Sequence, residues 1–223
     1  MKREFINKLF IFIASLYPNM NIYFVTGNKH KVEEAKIALK GSNVNIHLLD
    51  AEKFEPEDWT LEEVAKNNAK RIADETGKTV IVEDTGVFFE AFDNFPGNRP
   101  KRWFETLGYE GLLGKFYYVD EKNHKKNNDK DNTKKEITNR NAYFKTVIGY
   151  CEPNKEPLIF SGELYGKISK EVKGLEVDVL PYERIFICND DRYLYEYSRE
   201  EKDKFSHRGM AFRKLREFLL KKK

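Results

Sequence analysis

Residues 22–31 read Ile-Tyr-Phe-Val-Thr-Gly-Asn-Lys-His-Lys, and this stretch decides the fold. Its apolar first part predicts a strand, which runs into a small polar turn containing glycine and then into a helical pattern. Because the first N–H groups of a helix lack partners within it and the helix dipole favours negative charge there, such a turn can bind an anion. Thr26, Asn28 and Lys31 add side-chain donors and a cation, which suits a phosphate chain. Many strand–turn–helix joints bind nothing, and that alternative stays open.

The composition is that of a folded α/β protein with one good-sized core. The 223 residues are 40% hydrophobic and 14% aromatic. The formal charge is +3, but residues 120–140 carry +2 and the three C-terminal lysines +3, so the rest carries −2. A slightly acidic body argues against a nucleic-acid-binding protein, whose affinity would fall steeply with salt. Cys151 and Cys188 form no CxxC pair, so a reducing compartment, the cytoplasm, is expected.

The domain organisation predicted from the sequence has an N-terminal extension over 1–19 and one compact domain over 20–220. The apolar run at 5–17 resembles a short signal peptide, but polar residues interrupt it and it is too short to span a bilayer. No membrane association is expected, although a targeting role remains the alternative. Residues 119–140 hold too little apolar surface to offset their ordering entropy, which predicts a disordered insertion.

Strand and helix patterns alternate early in the chain and strands cluster late, which predicts a mixed sheet flanked by helices. Thr60 is predicted to cap a helix together with Glu63, and Ser206 to cap the last helix. The predicted strands are 22–25, 44–49, 80–82, 142–150 and 182–188, with a hairpin-like pair at 158–160 and 164–168; the predicted helices begin at 29 and 61, cover 103–107 and 111–117, and end the chain.

Two adjacent acids, Glu83 and Asp84, follow the apolar run 80–82. Ligand sites in α/β sheets favour the carboxyl ends of strands. A carboxylate there can hold Mg²⁺ or accept a proton from an attacking water. A helix cap or turn acid fits the position equally well. The acidic loop at 55–58 offers further oxygen ligands, or is simply solvated.

A third segment, Glu201-Lys202-Asp203-Lys204-Phe205-Ser206-His207-Arg208, crowds cations and an imidazole at a predicted helix start. The helix dipole disfavours cations there, which suggests a compensating anion. A phosphate or a purine carbonyl would serve, since Arg and His are good donors. Surface charge is the alternative.

Together these segments resemble the inosine triphosphatase family, the pyrophosphatases of deaminated purine nucleoside triphosphates. The resemblance covers residues 22–220 outside the insertion. It is carried by Phe24-Val25-Thr26-Gly27-Asn28-Lys29-His30-Lys31, Val82-Glu83-Asp84-Thr85-Gly86, Phe95-Pro96-Gly97, Tyr182-Glu183-Arg184-Ile185-Phe186 and Ser206-His207-Arg208.

The resemblance implies an elongated, two-lobed α/β fold with a curved mixed sheet flanked by helices and a central cleft. It also implies a Mg²⁺-dependent homodimer. The implied reaction hydrolyses the bond between the α- and β-phosphates of inosine, deoxyinosine and xanthosine triphosphates. Its products are a nucleoside monophosphate and pyrophosphate, so that the nucleotide pool is cleansed.

The resemblance also implies roles for individual residues. Asp84 would hold metal or activate water beside Glu83, and Lys202 would meet phosphate. His207 and Arg208 would contact the 6-oxo base. The turn that would cradle the triphosphate comprises Thr26, Gly27, Asn28, Lys29, His30 and Lys31, of which Lys31 is also assigned to catalysis; the other substrate-binding positions are Thr85, Arg102, Trp103, Leu180, Tyr182 and Glu183.

Two departures from the family pattern bear on function. The family usually has Gly-Phe-Gly-Tyr-Asp-Pro where this chain has Val-Leu-Pro-Tyr-Glu-Arg at 179–184, so Leu180 lacks a stacking ring. This motivates the alternative of a catalytically inactive, purine-nucleotide-binding regulatory module. Pro56 falls nearest the place of the loop's metal ligand, which leaves Glu55 and Glu57 as candidates.

Overall fold

The computed structural model describes residues 20–119 and 134–222, which form an α/β fold. The predicted extension at 1–19 and residues 120–133 of the predicted insertion lie outside the described residues. The strands are β1 (Met20–Val25), β2 (Val44–Leu49), β3 (Val80–Phe89), β4 (Phe95–Gly97), β5 (Tyr117–Val119), β6 (Lys134–Glu136), β7 (Asn141–Cys151), β8 (Leu158–Ile168) and β9 (Phe186–Ile187). The helices are α1 (Lys29–Ala38), α2 (Leu61–Thr76), α3 (Pro100–Gly114), α4 (Arg199–Phe205) and α5 (His207–Lys221).

The main sheet is mixed and has the strand order β2-β1-β3-β7-β8-β9, with β4 paired to β3. β1 is parallel to β2 and to β3, where Phe24 lies opposite Ile81. β4 and β9 are antiparallel to β3 and β8. The predicted α/β class and mixed sheet are confirmed. No helix within the described ranges combines the length and apolarity needed to cross a bilayer.

The chain divides into two compact units. Among the described residues, unit 1 takes 20–84, 147–162 and 208–222, and unit 2 takes 85–146 and 163–207. In unit 1, α1 and α5 bury their apolar faces on β1; the fully buried residues there include Ile22, Phe24, Ala35, Phe212 and Leu215. The core of unit 2 is aromatic and includes Phe89, Phe116, Phe144, Tyr182 and Phe186.

Helix α2 shows how the local sequence sets a helix and its packing. Thr60 caps it with Glu63 in a capping box, as predicted, and Gly77 ends it in the left-handed conformation. The buried face of α2 packs on the sheet. A Cβ at Gly149 of β7 would collide with the carbonyl oxygen of Ala65, so this glycine lets the helix approach the strand closely.

Several sequence-based boundaries are wrong for one shared reason, that pairing with other strands decides them. The predicted strand 80–82 continues to Phe89, because its second half pairs with β4. The predicted hairpin at 158–168 is the single strand β8, which lies between β7 and β9 in the sheet. The predicted insertion is structured at 134–140, where β6 pairs with β5 and Arg140 lies over the Phe116 ring.

Turn-forming residues account for the other errors. The predicted strand 182–188 begins as a 3₁₀ turn, Pro181–Arg184, and only Phe186–Ile187 is extended; proline favours the first position of a helical turn. The two helices predicted at 103–107 and 111–117 are both present within α3, where Gly108, whose φ is +58°, separates them; the second ends at Gly114 and not at 117. Ser206 precedes the last helix as predicted, but it also ends α4, a helix that the sequence analysis missed.

Candidate functional site

The turn after β1 is organised by Asn28, the cap of α1. Its side-chain oxygen accepts hydrogen bonds from the N–H groups of His30 (2.9 Å) and Lys31 (3.4 Å). The N–H of Asn28 donates to Thr26 Oγ1 at 3.1 Å. Two of the backbone N–H groups that the sequence analysis expected to be available to an anion are therefore bonded to the Asn28 side chain. What remains for an anion includes the Lys31 ammonium and the backbone of the turn around Gly27.

Glu83 lies in β3 one residue beyond the end of its pairing with β1, which stops at Val25 opposite Val82. Its side chain is fully buried, and Lys31 Nζ lies 3.4 Å from Oε2. Burial lowers the pKa of Lys31, although the Glu83 carboxylate opposes that shift. The turn and the first of the two acids thus meet at the carboxyl end of β1.

Arg208, the first residue of unit 1 after α4, contacts the same carboxylate. Its Nε and Nη2 lie 3.4 Å from Glu83 Oε1, and its Nη1 lies 2.8 Å from Glu34 Oε2. The Arg208 side chain is only 2% exposed. The residue that the resemblance assigns to the base therefore belongs to a buried ion network with two acids. Glu34 was missed by the sequence analysis, although its place three residues after Lys31 puts both on one helix face.

Asp84 has a different cation beside it. Lys53 Nζ lies 4.0 Å from Asp84 Oδ1 and 2.6 Å from Glu55 Oε1. Burial raises the pKa of Asp84 to about 6, while the charges of Lys53 and Lys31 oppose that shift. A carboxyl group with such a pKa can exchange a proton near neutral pH, as a general base must. Lys53 was missed because nothing in the local sequence marks a single lysine in an acidic loop.

The loop that carries Lys53 and Glu55 is tied to α2. The Asn68 side chain, buried on the helix, accepts from the Phe54 N–H and donates to the Phe54 carbonyl, both at 2.7 Å. Arg71 Nη2 donates to the Glu52 carbonyl at 2.6 Å. A cavity of about 330 Å³ adjoins these contacts; it is lined by Glu52, Lys53, Phe54, Trp59, Asn67, Asn68 and Arg71. Glu57, the other candidate metal ligand, is exposed.

The substrate-binding positions predicted in unit 2 include a preformed ion pair. Lys202 Nζ lies 2.8 Å from Glu183 Oε2, and both side chains are 7% exposed. Tyr182 is buried, its hydroxyl donates to the Pro100 carbonyl at 2.9 Å, and burial raises its pKa. Leu180 precedes this turn and is half-buried. The structure therefore brings the predicted Lys202 and Glu183 together.

The other predicted residues of unit 2 have separate surroundings. The His207 ring stacks on Phe144 with 4.6 Å between ring centroids. Thr85 Oγ1 lies 2.7 Å from Thr146 Oγ1. Trp103 packs edge-to-face on Phe95 at the start of α3, next to the exposed Arg102.

Within the described residues, no group of three or more His, Cys, Asp or Glu side chains is arranged to hold a metal ion. A metal at Asp84 would thus take only one or two carboxylates from this part of the chain. Mg²⁺ is commonly bound in that way, with water and substrate phosphates completing its shell.

Comparison with known proteins gives concordant results. The Ham1 family matches residues 22–218. A dITP/XTP pyrophosphatase of Methanopyrus kandleri is 36% identical over 200 residues, which cover 89% of this chain and 96% of that protein. An inosine triphosphate pyrophosphatase of Aspergillus fumigatus is 32% identical over 92% of this chain and 97% of its own length.

A solved structure, that of the Staphylococcus aureus Ham1 protein, superposes with a TM-score of 0.67 at 25% identity and covers 91% of this chain and 100% of that one. The match in fold and the match in sequence cover similar shares of the chain. The chain belongs to the Ham1 family.

Proposed function

We propose that this protein is a Mg²⁺-dependent nucleoside triphosphate pyrophosphatase. It hydrolyses inosine, deoxyinosine and xanthosine triphosphates to the monophosphate and pyrophosphate, and so cleanses the nucleotide pool. The observation that carries the proposal is the meeting, within unit 1, of Lys31 from the turn after β1, Glu83 of β3 and Arg208. The printed names of the two relatives, each matched over nearly its whole length, support the same activity.

The triphosphate binds at the turn of residues 26–31 in this proposal. Lys31 supplies positive charge there, and its position is fixed by Glu83 at 3.4 Å. Glu83 in turn is held by Arg208. Preorganised charge of this kind stabilises a phosphoryl transition state without reorganisation during the reaction. Glu83 therefore acts by placing Lys31, while Lys31 meets the phosphate.

The metal would be held by Asp84 and Glu55. Their oxygens are the ligands that Mg²⁺ prefers, and the Lys53 ammonium between them indicates a place that attracts a cation. Glu55 fits this role better than Glu57, because the contact to Lys53 brings Glu55 into the surroundings of Asp84. When bound, the metal would neutralise charge on the triphosphate.

Asp84 also orients the attacking water and accepts its proton. Without a metal, burial raises the pKa of Asp84 to about 6, so the free carboxyl group is mostly ionised at neutral pH. Lys202, which the resemblance assigns to phosphate, is held by its pair with Glu183. The water attacks in line with the leaving pyrophosphate.

Selectivity for 6-oxo purines comes from donors to the base, for which His207 is the candidate, since Arg208, the other residue implied by the resemblance, directs its guanidinium to Glu83 and Glu34. An amino group at that position would set donor against donor and leave buried groups unpaired. Thr85, Arg102, Trp103, Leu180 and Tyr182 complete the proposed substrate-binding set. The protein acts as a homodimer in the cytoplasm, and light scattering during size-exclusion chromatography tests the dimer.

The experiment is pyrophosphate release from a panel of nucleoside triphosphates with and without Mg²⁺, for the wild type and Asp84→Asn. The proposal predicts release from the 6-oxo purine triphosphates, its dependence on Mg²⁺, and its collapse in the variant with nucleotide binding retained. Binding of the same nucleotides by the wild type without any release would instead favour a regulatory module, the alternative that Leu180 motivates.

A further inference from the structure

Lys53 holds a place that the proposed metal would need. We propose that the Lys53 ammonium is a tethered competitor of the divalent cation, which binds to Glu55 and Asp84 only by displacing it. This inference rests on the proposed function, because it concerns the same two carboxylates. It goes further in assigning a role to a residue outside the predicted site.

The Lys53 ammonium lies close to both carboxylates. Lys53 Nζ lies 2.6 Å from Glu55 Oε1 and 4.0 Å from Asp84 Oδ1, so one ammonium serves both carboxylates. Mg²⁺ binds its oxygen ligands at about 2.0–2.1 Å. A metal on these two oxygens would therefore lie within a few ångströms of the present ammonium position. Two cations at that separation repel strongly, so one must leave.

The backbone around Lys53 is fixed by hydrogen bonds. Asn68 holds Phe54 through its N–H and its carbonyl, and Arg71 holds the Glu52 carbonyl. These bonds bracket Lys53 on both sides. The loop therefore presents the lysine to the acids as part of the folded structure, and the whole loop does not need to move for the ammonium to leave.

The Lys53 side chain can move while its backbone stays in place. Lysine has a flexible four-carbon stem, so its ammonium can rotate away while its Cα stays in place. The Lys53 side chain is 22% exposed, which leaves a path into solvent. Until the metal arrives, the ammonium offsets the repulsion between two carboxylates, of which Asp84 is only 14% exposed. It thereby stabilises the free site and weakens its affinity for the metal.

The test is Mg²⁺ binding to the protein without nucleotide, measured by titration calorimetry for the wild type and Lys53→Met. Methionine keeps most of the stem but removes the charge. We expect Lys53→Met to bind Mg²⁺ about ten-fold more tightly, a modest fraction of the effect of a unit charge at 4 Å. Adding Asp84→Asn to that variant should abolish the gain, which locates the effect at these carboxylates.

The matched control is Lys70→Met. Lys70 also lies 2.6 Å from a carboxylate, that of Asp74, but on the exposed face of α2. Its loss should leave the Mg²⁺ affinity unchanged. Lys53→Gln provides a second uncharged variant, and thermal unfolding of every variant confirms that it is folded. A gain in both uncharged variants and none in the control supports the proposal.

An affinity for Mg²⁺ that is unchanged or weaker in Lys53→Met and Lys53→Gln overturns the proposal, as does a lack of binding by every variant. The failure of the proposed function has a different signature, since it requires that no pyrophosphate be released from any 6-oxo purine triphosphate. Because binding is measured without nucleotide, the two results are independent. An enzyme that is active, but whose Mg²⁺ affinity does not change when Lys53 is replaced, contradicts the proposed role of Lys53 and leaves the proposed function standing.

Discussion

Replacing Arg208 by methionine should destabilise the protein more than any exposed charge change. Its guanidinium bonds to Glu83 and Glu34, whose side chains are 0% and 11% exposed. Removing one partner of a buried ion pair typically costs about 3–5 kcal/mol, and because Lys31 remains beside Glu83 we expect a loss at the lower end of that range. Methionine fills much of the same volume, so little of the loss comes from a cavity.

The expected loss follows from this burial and is measurable by heat. For a protein of this size, about 1 kcal/mol shifts the unfolding midpoint by roughly 2–4 °C, so a loss of about 3 kcal/mol lowers it by roughly 6–12 °C. Differential scanning calorimetry at neutral pH gives the midpoint. The double variant Glu83→Gln with Arg208→Met should lose less stability than the sum of the two single variants, since the two side chains contact each other directly.

A control isolates burial as the cause. Lys36 pairs with Glu33 at 3.4 Å, the same separation as Arg208 and Glu83, but these two side chains are more than half exposed. Lys36→Met should change the free energy of unfolding by less than about 0.5 kcal/mol. If Arg208→Met destabilised the protein no more than Lys36→Met, the buried network would contribute nothing and the reasoning about Glu83 would be refuted.

Three further predictions concern pH, packing and the loop. Because the folded state holds the Asp84 proton more tightly than the unfolded chain, ionised Asp84 lowers stability above pH about 6; Asp84→Asn should be more stable by about 2 kcal/mol at pH 8 and show no gain at pH 4, and denaturant titrations showing the reverse trend would contradict this. Gly149→Ala should lower the free energy of unfolding by about 1–3 kcal/mol, since its methyl group collides with the Ala65 carbonyl, and an unchanged urea midpoint would refute the close packing of α2 on β7. Asn68→Ala should cost about 1–3 kcal/mol, since it removes two hydrogen bonds from a buried side chain to the Phe54 backbone, and hydrogen exchange at the Phe54 amide should speed up with it; retained protection there would show that other contacts hold the loop.

The sequence predicts best what neighbouring residues decide. The capping box of Thr60 and Glu63 depends on contacts three residues apart, and the helix that it begins lies where expected. The strand β8 was misread because its extended course through Ser161 and Gly162 depends on β7 and β9. Local patterns carry no record of such partners.

The residues of the candidate site show the same difference between local and long-range contacts. The turn and the acid pair are contiguous in the sequence and could be named from it. The contact of Arg208 with Glu34 joins residues 174 positions apart, and that of Lys53 with Asp84 joins two different segments, so neither charge network could be derived from spacing. Family resemblance supplied residue roles but not these pairings, which depend on burial.

The products formed from deoxyinosine triphosphate test the proposed cleavage between the α- and β-phosphates. Incubation with the protein and Mg²⁺, followed by anion-exchange separation, should give the nucleoside monophosphate and pyrophosphate in equal amounts, and no orthophosphate. Release of orthophosphate with the diphosphate, or no reaction at all, would contradict the account.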